Sequence, residues 1–189
     1  MPYNKIVLRS ELSRDEGRRN HVYRDSIRTP AVPSGYRTVG VGFNLDTNAI
    51  PDEVRAMLPS DQGDPLDPEF IWPEPAIDAL LDISITAAEH VLDELLPMWH
   101  SFCDETVALG SAGDGRTRAL LNLAFNMGKG HVDAAGVKHG LMSFEHFLAA
   151  VAALDWAGAA QHLRGSGWER QVGPARSERI EHMLATGSV

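Results

Sequence analysis

The sequence predicts a mostly α-helical protein of the α+β class, and three observations predict it. Apolar residues recur at helical spacing through a long stretch after Pro75, and shorter helical patterns fill the chain beyond residue 115. Strand signal is confined to one run, YRTVGVGF at 36–43. The 189 residues fit one large domain or two small lobes, and such a chain buries roughly 70% of its unfolded surface. With 43% hydrophobic and 23% charged residues the composition is that of a globular protein, not a disordered or fibrous one.

Residues 3–15 place Ile6, Leu8 and Leu12 near one face of a first helix, which Gly17 closes. The turn-rich RTPAVPSG then leads into 36–43, which suggests a small hairpin. In that strand, alternation sets Arg37, Val39, Val41 and Phe43 on a core face. Tyr36, Thr38, Gly40 and Gly42 fall on the other, as a groove floor with Thr38 exposed in it; the bland alternative is that the glycines only allow twist or packing. Six prolines make 51–75 turn-rich, with at most one short helix near 52–58. Ile77, Leu81, Ile85, Ala88, Leu92 and Leu95 mark one stripe of a helix about 22 residues and roughly 33 Å long, which Pro97 stops. Further helices are expected over 116–127, 144–154 with Ser143 as N-cap, 156–164 and 175–185.

Charge divides the chain unevenly. The formal net charge is -9, but residues 1–45 hold 8 basic and 4 acidic side chains and residues 116–189 hold 8 and 6. Residues 46–115 hold one basic side chain, Arg55, and 16 acidic ones. The overall acidity argues against a nucleic-acid protein. No run approaches the roughly 20 apolar residues of a membrane span, and the charged start has no apolar core of a secretion signal. Cys103 is the only cysteine, so an intrachain disulfide and a multi-cysteine zinc site are excluded. The eight histidines show no ligand spacing, and no metal or organic cofactor is expected.

Two carboxylates stand at the candidate site. Glu16 ends the first helix and Asp25 lies nine residues on. Cleaving a glycosidic bond needs one protonated carboxyl to serve the leaving oxygen and one ionised partner. A helix C-terminus and partial burial favour the protonated form at Glu16, and a polar turn favours the ionised form at Asp25. The same two residues also suit an ordinary helix end and a solvated turn.

The run DEG with Tyr23 and Asp25, continued by TVGVGFNL, resembles the phage-type lysozymes, glycoside hydrolase family 24. RALLNLAFNMGKG and GSGWERQVGPARSERI, with Trp168, Gln171, Arg176 and Arg179, continue the resemblance to Thr186-Gly187. It implies Glu16 as general acid, Asp25 as base or electrostatic stabiliser and Thr38 as the group that positions water. Tyr36, Phe43, Asn44, Phe125, Asn126 and Arg176 are the implied substrate-binding residues, Arg176 pairing with the catalytic Glu. The implied fold is a lysozyme-like pair of lobes: a sheet-containing lobe at 17–75, a connecting helix at 76–98, and a helical lobe at 99–189 completed by helix 3–15. The implied activity is hydrolysis of the β-1,4 bond between N-acetylmuramic acid and N-acetylglucosamine in bacterial peptidoglycan, with inversion. The implied setting is an endolysin, expected to be a monomer without stable membrane association. It is made in the host cytoplasm and reaches the cell wall at lysis through a separate membrane lesion.

The sequence departs from the family pattern in three places. Twelve residues separate Asp25 from Thr38 where about five are usual, so SIRTPAVPS lengthens the 26–35 loop. Phe43 stands where the family usually has His. Residues 46–75 match no family motif. Two rival readings are a lytic transglycosylase, which leaves a 1,6-anhydro end, and a non-catalytic wall-binding or virion module.

Overall fold

The computed structural model describes residues 3–25, 34–99 and 111–188. Cys103 and positions 26–33 of the long loop lie outside the described residues. The described elements are α1 (Lys5–Glu16), β1 (Arg19–Arg24), β2 (Arg37–Gly40), β3 (Phe43–Asn44), α2 (Asp52–Arg55) and α3 (Glu74–Leu95). They continue with α4 (Ser111–Met127), a 3-10 turn (Leu141–Ser143), α5 (Glu145–Ala152), α6 (Trp156–Leu163), α7 (Gly167–Val172) and α8 (Pro174–Thr186). Helices dominate, and the three strands form one antiparallel sheet in the order β1-β2-β3. The architecture is that of an α+β, lysozyme-like fold. The backbone divides into two compact units, Arg9–Ser84 and Met1–Leu8 with Ile85–Val189, so the divisions fall inside α1 and α3.

The hydrophobic stripe of α1 is set by Leu8 and Leu12, four apart and both fully buried. Ile6, expected near that face, is 79% exposed, because two residues turn a helix through about 200°. The run 36–43 is not one strand. Val39 pairs with Phe43, and the chain reverses between them over Gly40 and Gly42, whose φ values are 64° and 79°. A tight reversal needs left-handed backbone there, so these glycines serve a turn and not a groove floor. A Cβ on Gly40 would also come within 3.1 Å of Ile77 Cγ2, so α3 packs closely on the turn.

Val22, Val39 and Phe43 form one side of the core of the Arg9–Ser84 unit, and Ala76, Ile77 and Leu80 of α3 contribute another. Val54, Phe70 and Trp72 complete it, so the segment without a family motif supplies part of the core. Phe70 and Trp72 meet edge to face at 6.3 Å. The Trp72 backbone N–H donates to the Asn20 carbonyl at 2.7 Å, satisfying a group on the outer edge of β1, and its indole N–H donates to the Pro65 carbonyl at 3.1 Å. Arg9 is bonded to Asp82, and Arg18 to Glu74 and Asp78, which ties the chain near α1 to the start of α3.

Helix α3 has the predicted length, 22 residues. Ile77, Leu81, Ile85, Ala88 and Leu92 are all buried along its predicted stripe. In the other unit, Leu121, Leu123, Phe147, Val151, Leu163, Met183 and Leu184 build the core. Arg116 donates to the carbonyls of Leu184 and Ala185 at 3.0 and 3.2 Å, satisfying acceptors that the end of α8 leaves open. Ser143 does not cap the next helix. It ends the 3-10 turn, its hydroxyl donating to the Gly140 carbonyl at 2.7 Å, and α5 starts at Glu145 without a side-chain cap. Asp155 caps α6 instead, accepting from Gly158 N at 2.9 Å.

Candidate active site

Helix α1 delivers Glu16 as its last residue, half-buried, and β1 begins three residues later. Asp25 comes directly after β1 and is also half-buried. Its backbone N–H donates to the Tyr36 carbonyl at 3.0 Å, and its Oδ1 accepts from the Tyr36 N–H at 3.0 Å. The Arg24 guanidinium adds a bond to the Gly35 carbonyl at 2.9 Å. These contacts pinch the inserted loop off at its neck, so the loop's length does not displace β2 from its pairing with β1. Tyr23 pairs with Thr38 and Arg24 with Arg37 across that ladder.

Thr38 lies on the central strand, paired with Tyr23 on one side and Asn44 on the other. It is 3% exposed, not open on a groove floor as alternation predicted. Its hydroxyl donates to the Tyr36 carbonyl at 3.3 Å, and its lone pairs can accept from water.

Tyr23, half-buried, follows Val22 in β1 and pairs with Thr38 across the ladder. Burial pushes its phenol pKa up, Glu16 and Asp25 push it the same way, and Arg19 pulls it down. Arg19 lies over the ring, its Cζ 4.3 Å from the centroid. Arg19 is not among the site residues expected from sequence, and Tyr23 enters there only as part of a motif. The sequence signal for both is weak, since RNHVYR holds one buried apolar residue, Val22, and shows no clean alternation.

The remaining candidates divide by place. Tyr36 and Asn44 are half-buried in the Arg9–Ser84 unit. Asn44 Oδ1 accepts from the N–H groups of Asp46 and Thr47 at 2.9 and 3.1 Å, so this amide shapes the turn after β3. Phe43, which the resemblance implied as a substrate contact, is a core residue, 9% exposed, on the face that alternation gave to the core. Its place in the tight hairpin turns the ring inward with Val39. Phe125, Asn126 and Arg176 belong to the other unit. Asn126 accepts from the Trp168 indole N–H at 2.9 Å, and both help line a cavity of about 490 Å³ with Phe144 and Gln171. Arg176 is buried, and its Nε and Nη2 donate to Asn122 Oδ1 at 3.2 and 2.9 Å.

Among the described residues no group of three or more His, Cys, Asp or Glu side chains is arranged to hold a metal ion. Nor is any described helix long and apolar enough to cross a membrane. His131 and His139 stack at 4.9 Å on an exposed hairpin, with Asp133 3.0 Å from His139.

No family model matches the chain. Over 186 residues, 94% of its length, it is 27% identical to the pre-baseplate central spike protein Gp5 of Enterobacteria phage T4 and spans 27% of that protein. Over 188 residues it is 23% identical to the probable T4-type lysozyme 1 of Dictyostelium discoideum, covering 96% of this chain and 95% of the relative. The similarity is distant, but it runs through nearly the full length of the probable T4-type lysozyme.

Proposed function

We propose that this chain is a muramidase of glycoside hydrolase family 24 that hydrolyses the β-1,4 bond between N-acetylmuramic acid and N-acetylglucosamine in bacterial peptidoglycan. The observation that carries the reading is the placement of Glu16 as the last residue of α1 and of Asp25 directly after β1, its carboxylate held by the Tyr36 N–H, with Thr38 on the strand paired to β1. Glu16 gives its proton to the leaving oxygen. Asp25, oriented by the Tyr36 N–H, serves as base or stabilises the cationic sugar. Thr38 accepts from the attacking water. Similarity to a T4-type lysozyme supports the same chemistry. In this reading the protein is an endolysin, made in the host cytoplasm and active on the wall at lysis.

The test is Glu16→Gln. Clearing of permeabilised Gram-negative cells should fall by about 10²–10⁴-fold while circular dichroism and Tm stay those of the parent. Retained clearing would remove Glu16 as the acid. Mass spectrometry of released muropeptides separates hydrolysis, which leaves reducing ends, from transglycosylation, whose anhydro ends are lighter by one water. The similarity to a phage spike protein favours one second reading, a virion-borne wall module. Retention of the protein on sacculi without release of soluble fragments supports that reading over the first.

A further inference from the structure

Arg9, Arg18, Arg24 and Arg37 each face a carboxylate: Asp82 for Arg9, Glu74 and Asp78 for Arg18, and Asp46 for the other two. Arg19 is different. It is exposed, makes no ion pair among the described residues, and lies over the Tyr23 ring. An exposed arginine alone means little, but this one is held by a feature of the backbone. Residues four apart in an unbroken strand are separated by about 13 Å. Here the pairing slips by two positions, from Arg19 opposite Gly40 to Tyr23 opposite Thr38, so the ladder is irregular between the two residues. Irregularities of this kind in a ladder change where side chains point, and Arg19 meets the ring across this one.

Stacking occupies only the face of a guanidinium. Its N–H donors lie in the plane and stay available for a two-pronged bond to a carboxylate. The chain carries a net charge of -9, so a wall polymer rich in carboxylates meets general repulsion. A single oriented cation on β1, the strand that runs from the end of α1 to Asp25, offsets that repulsion locally.

We propose that Arg19 is a specificity-determining residue that binds a free carboxylate of the wall polymer's stem peptides, with Tyr23 as the platform that holds it. This rests on the muramidase reading for the position of the glycan, so the test separates binding from turnover.

Binding is measured by co-sedimentation of the Glu16→Gln protein with purified Gram-negative sacculi. One batch is native, and the other has its free carboxyls amidated with carbodiimide and ethanolamine. Arg19→Gln should weaken binding to native sacculi by roughly three- to tenfold, amidation should weaken it by a similar factor, and the two losses should not multiply. Arg19→Lys should restore part of the loss. Tyr23→Leu should reproduce it, whereas Tyr23→Phe keeps the ring and the affinity. In otherwise unmodified protein, Arg19→Gln should raise KM on native sacculi by the same factor and change kcat by less than twofold. Independent losses, equal binding of parent and Arg19→Gln to native sacculi, or no effect of Tyr23→Leu overturns the proposal. If the parent releases no soluble fragments, the muramidase reading fails while the binding comparison still decides the role of Arg19.

Discussion

Asn122 holds the buried Arg176 guanidinium with one oxygen that accepts two N–H groups. Asn122→Ala removes that acceptor and leaves buried donors to be satisfied elsewhere. The expected cost is about 2 kcal/mol, read as a lower urea midpoint with an unchanged m-value. Asp46 makes a different case, near the surface. It accepts from the Arg37 backbone N–H at 2.7 Å and from the Arg37 Nε at 2.6 Å. The backbone bond above all, then the guanidinium, holds its carboxyl below the ordinary value. A lowered folded pKa stabilises above the unfolded value and stops doing so as pH falls through the folded one. Asp46→Ala should therefore lower Tm at pH 7, and the gap to the parent should close in acid; a gap constant with pH would exclude this linkage. At this scale the sequence exposed what spacing encodes. Glu16, Asp25 and Thr38 stand out as candidates because their order along the chain is a pattern. The inward turn of Phe43 was legible too, since alternation set it on the core face; the burial of Thr38 was not, since alternation gives two faces but not what packs over the second. Arg19 and Tyr23 flank a shift in the β1–β2 register, which breaks the very period from which strands are read.

Elements with a long, clean period were read most faithfully. The five buried positions of α3 from Ile77 to Leu92 repeat at steps of 3 and 4, and Pro75 suits the first turn. β1 escaped because it is an edge strand with exposed Arg19, Asn20, His21 and Arg24. α7 escaped because its six residues lie between glycines, too few to show a helical period. Close approach between elements is equally hidden. A Cβ on Gly115 of α4 would sit 2.1 Å from the Gly187 carbonyl oxygen just past α8. The obstacle is backbone, which cannot swing aside as a side chain can. Gly115→Ala should separate the two helix ends and cost about 3 kcal/mol by chemical denaturation. A loss below about 0.5 kcal/mol would mean that the two ends move apart freely.

At the scale of the whole molecule, charge decides how the protein meets an anionic surface. The acidity is concentrated in residues 46–115, where 16 acidic side chains face one basic one. The fold uses some of these internally: Asp46 holds Arg37, Asp82 holds Arg9, and Glu74 and Asp78 hold Arg18. Asp64 and Asp67 accept from nearby backbone N–H groups and so shape their own turns. Glu53, Asp61 and Glu69 are exposed and make no side-chain ion pair among the described residues, which leaves their charge to act outward. Screening lengths are roughly 30 Å at 0.01 M salt and 10 Å at 0.1 M. Repulsion from these groups should therefore reach the wall polymer in dilute buffer and fade near 0.1 M. Clearing activity should fall as salt is lowered, contrary to what a basic enzyme shows on the same substrate. The triple variant Glu53→Gln, Asp61→Asn, Glu69→Gln should recover about two- to threefold of that activity at 0.01 M and little at 0.1 M. The three substitutions leave the turn-forming and ion-paired acids intact, so Tm should stay within a degree or so of the parent. Parent activity that peaks at the lowest salt, with no gain in the triple variant, would show that this acidic segment does not oppose binding.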